Sequence, residues 1–283
     1  MINEKISPTA WVVAYQRTLG NIKYAKEIFD DLSPLIAVAD QKQRDYFDKA
    51  KMSRHTARLE ARYKLINRIL EEQKSDQIFE IAAGLSPRGL AMTQDNPNLI
   101  FVELDLPEMI NEKRKILSQI VAKFNIHTSN LSLESGDALN YDSLLAATKH
   151  FRQDDITVVN EGLLRYLNFE QKAQVSQNVR KLLKIFGGVW ITPDITLDKV
   201  IQSDTKGAEY QRIKELSGMD IHANTFRDVS HAKEFFTQQG FQVESRCYAE
   251  IEDELVSPTK LGIPKEEVHE TIKDSPVFIM RIA

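Results

Sequence analysis

The stretch from Phe79 to Asp105 constrains this chain more than any other. Ile78, Phe79 and Ile81 lead into the small residues Ala82-Ala83-Gly84, a short helix follows, and Leu99, Ile100, Phe101 and Val102 run into Glu103 and Asp105. Strand, glycine-containing turn, helix and strand ending in acid make half of a nucleotide-binding βαβ unit. The small residues let backbone approach a ligand closely. A carboxylate at the tip of the second strand can accept from both hydroxyls of a ribose diol. The competing reading is an α/β domain in which Gly84 is only a tight turn.

The glycine pattern narrows the ligand. A dinucleotide site reads G-x-G-x-x-G, its second glycine admitting a pyrophosphate against a helix N-terminus. Here the glycines of the stretch stand only at 84 and 89, so the anion cradle is incomplete and a nucleoside without phosphate fits better. S-adenosylmethionine (SAM) is such a ligand: its adenosine diol needs an acid, and its cationic sulfonium needs no anion hole. An NAD(P)-dependent oxidoreductase is the competing enzyme class, and the missing second glycine counts against it.

From Ile78 strands and helices alternate, the pattern of a parallel sheet. The patterning predicts a long helix from Pro107 to about Phe124, strands at 131–134, 156–161 and 189–192, an amphipathic helix over 169–185, a helix over 230–239, and strands at 241–248 and 277–282. Residues 1–75 read as an N-terminal helical cap on a domain spanning 76–283. The cap's charged helix carries Arg54, Arg58, Arg62 and Arg68, most of which read as a solvated face. Residues 194–227 are too long and too charged for an ordinary connection and read as a lid. The Pro-, Lys- and Glu-rich segment between the last two strands reads as surface.

Composition limits the partners. A formal net charge of -4 and a pI of about 5.9 give no general attraction to phosphate backbones, so no nucleic acid is expected. The single cysteine, Cys247, excludes an internal disulfide and a thiolate metal cluster, and the histidines at 55, 127, 150, 222, 231 and 269 show no pairing that marks a metal site or a base. No basic-then-apolar leader opens the chain and no run reaches the roughly eighteen apolar residues of a membrane span. A cytoplasmic protein with no membrane partner is the expectation.

Three acids, Asp105, Asp137 and Glu161, fall at or just beyond predicted strand ends, where an open parallel sheet binds its ligands. The segments EIAAGLSPRG, FVELDLPEMI, SGDAL, VVNEGLLRYL and GGVWITPDI, in this order and spacing, resemble the leucine carboxyl methyltransferase-like branch of the class I SAM-dependent methyltransferases. That branch includes bacterial enzymes acting on small-molecule carboxylates or hydroxyls. The resemblance covers about residues 10 to 195. It implies a Rossmann-like seven-stranded sheet, mostly parallel with an antiparallel last strand, and SAM as cofactor with S-adenosylhomocysteine as product.

Residue by residue, the resemblance puts Ala82, Ala83 and Gly84 under the cofactor, Asp105 on the ribose with Glu103 near it, Asp137 and Ala138 at the adenine, and Glu161 near the methionine end. Arg58 takes the position of the arginine that pairs with the cofactor carboxylate, with Arg62 one helical turn on as competitor and Arg17 a weaker candidate. Where relatives show G-x-G and Asp-Thr-Arg, this chain has Ala82 and Ser86-Pro87-Arg88. The implied activity is O-methyl transfer to a small carboxylic acid, with Arg165, Tyr166 and His222 on the acceptor side. The bland alternative makes Arg165 a surface charge and Tyr166 a core aromatic. A SAM-binding protein without catalysis would keep the same motifs and is the alternative of another class.

Overall fold

The computed structural model describes residues 8–30, 49–198 and 224–283. Seven strands form one sheet in the order β3-β2-β1-β4-β5-β7-β6. They are β1 (Gln77–Ile81), β2 (Ile100–Asp105), β3 (Leu131–Ser135), β4 (Ile156–Asn160), β5 (Gly188–Thr192), β6 (Phe241–Cys247) and β7 (Pro276–Ile282). β1 to β5 pair in parallel; β7 slots between β5 and β6 and runs antiparallel to both. β1 and β4 are buried along their whole length, which explains why both read as mostly apolar runs without a regular polar face, although Glu80 and Thr157 are buried within them. The strand order reverses between β1 and β4, and the carboxyl ends of these strands open the crevice where such sheets bind ligands.

Helices cover both faces. On one side lie α1 (Pro8–Leu19), α2 (Lys49–Gln73), α3 (Arg88–Asp95) and α4 (Pro107–Phe124); on the other lie α5 (Tyr141–Ala147), α6 (Phe169–Phe186) and α7 (Val229–Gln238). Local chemistry sets their ends. α4 starts at Pro107, whose missing N–H costs nothing in the first turn, and stops at Asn125 in the left-handed region. α6 opens with a capping box between Asn168 and Gln171 and stops at Gly187 with φ +85°.

The segment between β6 and β7 is not plain surface. A 3₁₀ turn (Tyr248–Glu254) leads to α8 (Ser257–Leu261) and α9 (Lys265–Ile272), and Tyr248, Ile251, Val268 and Ile272 are buried against α2 and the sheet. Val268 and Ile272 stand one helical turn apart among charged neighbours, so a two-residue apolar stripe was all the sequence displayed. Three of the α2 arginines also reach this segment: Arg54, still exposed, pairs with Glu267, Arg68 pairs with Glu254 at the surface, and Arg58 donates to the Thr271 carbonyl. Most of the expected lid, 199–223, lies outside the described residues. Its flanks meet, since Asp198 N donates to Phe226 O at 2.9 Å and Phe226 N to Thr196 O at 2.8 Å.

Candidate functional site

The turn after β1 carries two backbone constraints. Ala82 sits at φ +55° and Gly84 at φ +50°, and a Cβ at Gly84 would meet no atom within 4 Å. Glycine there is needed for backbone conformation, and the space beside it is open to a ligand. Ala83 N donates to Leu104 O at 3.2 Å, which ties the turn to β2. Asp105, at the β2 tip, accepts from Gly84 N and from Leu106 N, each at 2.7 Å. Burial raises the Asp105 carboxyl above its ordinary value, and these two N–H groups oppose that rise.

Glu103 is a correction. It shares a face with Asp105 but is fully buried in an ion pair with Lys113 of α4, away from the strand tip. Asp137 is exposed and accepts from Leu139 N at 2.9 Å, while the buried Ala138 lends its carbonyl to Asn178 Nδ2 at 3.0 Å. Both lie in the loop that follows β3, at the same carboxyl end of the sheet as Asp105.

Glu161, one residue past β4, is the centre of the site. Its side chain is 2% exposed and is met by Arg17 Nη2 at 3.0 Å, Arg62 Nη2 at 2.9 Å and Arg88 Nη2 at 2.6 Å. Burial alone would raise its pKa; the guanidinium groups of Arg62, Arg17 and Arg88 more than reverse this and hold the carboxyl far below the usual range. Arg88 also pairs with Glu80 and donates Nε to Asn67 Oδ1 at 2.7 Å. The Tyr63 ring lies 4.5 Å from the Arg88 guanidinium carbon and 5.4 Å from that of Arg17, and burial pushes its hydroxyl pKa up to about 12. Three guanidinium groups face two carboxylates in this cluster, so one positive charge is left over.

The two arginines of α2 therefore exchange their expected places. Arg62 stands at Glu161, whereas Arg58 turns one helical turn away to Thr271 and lines a separate recess. Ser86-Pro87-Arg88, which departs from the relatives' pattern, drives its arginine inward beneath the crevice, and Ser86 Oγ accepts from Arg88 N at 3.3 Å.

Asp194, just past β5, carries a role the motif reading missed. It is 3% exposed and accepts from Asn160 Nδ2 at 2.7 Å and from the backbone of Gly162, Leu163 and Leu164 at 2.8, 2.7 and 3.0 Å. This one carboxylate shapes the loop that presents Glu161 and Arg165. Asn160 is fixed in turn by the Trp190 indole N–H, which donates to its Oδ1 at 2.8 Å. The strand-end rule that selected Asp105, Asp137 and Glu161 also selects Asp194, whereas nothing in the sequence marks Arg88 as buried. Asp194→Asn removes the charge and half of the acceptor capacity, and is expected to lower stability by about 2 kcal/mol in urea unfolding.

Arg165 and Tyr166 lie in a 3₁₀ turn (Leu164–Tyr166) directly after this loop, with the Arg165 guanidinium 5.9 Å from the Tyr166 ring centre. Both are half-buried. Arg165 lines the recess with Arg58, Arg62, Tyr248 and Asp194, and its Nε is buried with no hydrogen-bond partner among the described residues. A buried N–H without an acceptor costs about 1–3 kcal/mol, which an acceptor atom entering the recess would relieve. His222 lies outside the described residues.

The strand order, the acid at the β2 tip and the cluster at the β1/β4 crevice define a class I methyltransferase fold with its ligand crevice at the expected end of the sheet. A leucine carboxyl methyltransferase family model matches residues 17–180, and the chain belongs to this family of SAM-dependent methyltransferases. No curated protein matches it by sequence. Among solved structures, PigF with S-adenosylhomocysteine aligns with TM-score 0.50 and 10% identity over 92% of this chain and 71% of PigF. The complex of the Haloferax volcanii Trm112 methyltransferase activator with a methyltransferase gives TM-score 0.50 and 17% identity over 85% of this chain and 96% of the other. The methyltransferase domain of bacterial CtHen1-C gives TM-score 0.50 and 9% identity over 79% and 98%. These likenesses extend to the fold. The cofactor of the family is SAM, which sets aside the nicotinamide alternative. Among the described residues no helix is long and apolar enough to cross a membrane.

Proposed function

We propose that this protein is an O-methyltransferase that esterifies a carboxylate of a small molecule, with SAM held across the β1/β4 crevice. The observation that supports it most directly is the pairing of two fitted ends: Asp105 beside the open space at Gly84, and a cluster around Glu161 with one surplus positive charge. The residues suit the cofactor. Asp105 would accept from the ribose hydroxyls, Asp137 from the adenine amine with Ala138 beside it, and Ala82, Ala83 and Gly84 would let the backbone come close. The surplus charge, carried by Arg62 and Arg17 rather than by Arg58, would meet the methionine carboxylate. Glu161 aligns those arginines and keeps a lone pair on Oε2 for an amino group.

Bound SAM supplies a methyl group on a good sulfonium leaving group. The chain's task is then to hold an acceptor oxygen in line behind that carbon, and orientation alone can reach effective molarities of ~10⁵ M or more. A carboxylate is ionised at neutral pH and needs no base, so methyl transfer to its oxygen would ask the chain to move no proton. The arginine-lined recess beside Glu161 favours an anionic acceptor. Incubation with methyl-labelled SAM and a panel of small carboxylic acids is expected to give base-labile methyl esters. Tight SAM binding with no ester from any acid would reduce the protein to a SAM-binding module.

A further inference from the structure

Four features of the recess bear on what enters it. Among the described residues Arg58 donates only to a neutral carbonyl, that of Thr271, at 3.2 and 3.3 Å. Arg165 makes no ion pair among the described residues, and its buried Nε faces no acceptor. Of the two acids that border the recess, Asp194 spends its hydrogen-bonding capacity on four neutral donors, Asn160 and the backbone of Gly162, Leu163 and Leu164, and Asp274 stands exposed to solvent. Arg62 borders both the recess and the Glu161 cluster, so the recess adjoins the methionine end of the crevice.

Methyl transfer to a carboxylate destroys the acceptor's negative charge. A guanidinium pair on the reacting carboxylate is therefore stronger before the transition state than in it, and would slow the step. The same pair on a different anion of the acceptor has equal strength throughout and spends its energy on placement. We infer that Arg58 and Arg165 hold a second carboxylate of the acceptor, one that is not methylated, so that the substrate is a small dicarboxylic acid and the product its monoester. This rests on the methyltransferase reading and narrows its substrate class. Arg58 supplies a fork already oriented by Thr271, and Arg165 supplies the donor that lacks a partner.

The test compares succinate, glutarate and adipate with butyrate, pentanoate and hexanoate, as methyl acceptors and as ligands in calorimetry with and without saturating S-adenosylhomocysteine. The diacid of the fitting length is expected to have a kcat/KM about tenfold to a hundredfold above its matched monoacid. Arg165→Gln and Arg58→Gln should each erase that preference by raising KM for the diacid, with kcat and SAM affinity retained; Arg165→Lys should restore part of it. Equal turnover of diacids and monoacids by the unaltered protein overturns the second-anion site while leaving the methyltransferase standing. Diacid binding that depends on Arg58 and Arg165, with no ester formed from any acid, sinks the methyltransferase reading and leaves the anion site. No diacid preference in either binding or turnover removes the inference.

Discussion

Glu161→Gln is expected to destabilise the protein by about 3–5 kcal/mol and to abolish SAM binding together with it. The wild-type carboxylate is buried with three guanidinium groups around it, and Glu80 answers only one of them directly. A glutamine of the same size leaves Arg17 and Arg62 charged, buried and without an anion, and turns an amide N–H₂ toward one set of donors. The loss is one of uncompensated charge rather than of packing, since the volume is unchanged. The sign of the pH dependence follows from the depressed carboxyl. The folded state releases the Glu161 proton at lower pH than the unfolded chain, so the stabilisation is complete above the ordinary carboxylate range near 4.5 and is lost as pH falls below it. Urea unfolding from neutral pH down to about pH 3 should show a stability decline in the wild type that is shallower in Glu161→Gln. A variant that matches the wild type at neutral pH would mean that the arginines find other anions, and the cluster would lose its central place.

What the sequence displayed and what it hid follow from how each contact is built. The strands were legible because buried parallel strands are rich in β-branched and apolar residues, as in Ile156-Thr157-Val158-Val159, and the turn chemistry at Gly84, Pro107 and Gly187 punctuates them. Strand-end acids were legible for the same topological reason, which holds for Asp105 and Glu161 and extends to Asp194. Side-chain direction was not. Arg58 and Arg62 are one helical turn apart on α2 and differ only in what faces them, Thr271 from a segment far along the chain or Glu161 from the loop after β4. Glu103 was drawn toward the ribose by its spacing from Asp105, but a lysine on the next helix claims it. Arg88 looks like a loop charge until Glu80, Asn67 and Glu161 surround it. These pairings join separate elements, from Arg88 and Glu80 eight residues apart to Arg58 and Thr271 213 residues apart, and the pattern within one element carries no trace of them.

Asp105→Asn is expected to weaken SAM binding by about a hundredfold or more while leaving the fold nearly intact. Each carboxylate oxygen already takes one backbone N–H, from Gly84 and from Leu106. Each retains a second lone pair, and those are the acceptors a ribose diol requires. Asparagine keeps a single oxygen, so one of the two backbone N–H groups meets an amide N–H₂, and the side chain must either turn away or release the Gly84 turn. The ribose then loses a charge-assisted bond, each such bond being worth ~1.5–3 kcal/mol when buried, and the turn beneath the cofactor loosens as well. Stability moves less because burial raises the Asp105 carboxyl: removing its charge returns desolvation energy that partly offsets the lost backbone contacts. Calorimetry with S-adenosylhomocysteine and thermal unfolding on the same preparation separate the two effects. Undiminished affinity in a folded variant would place the ribose elsewhere, and Glu103 could not take over, because Lys113 already holds it below the strand tip.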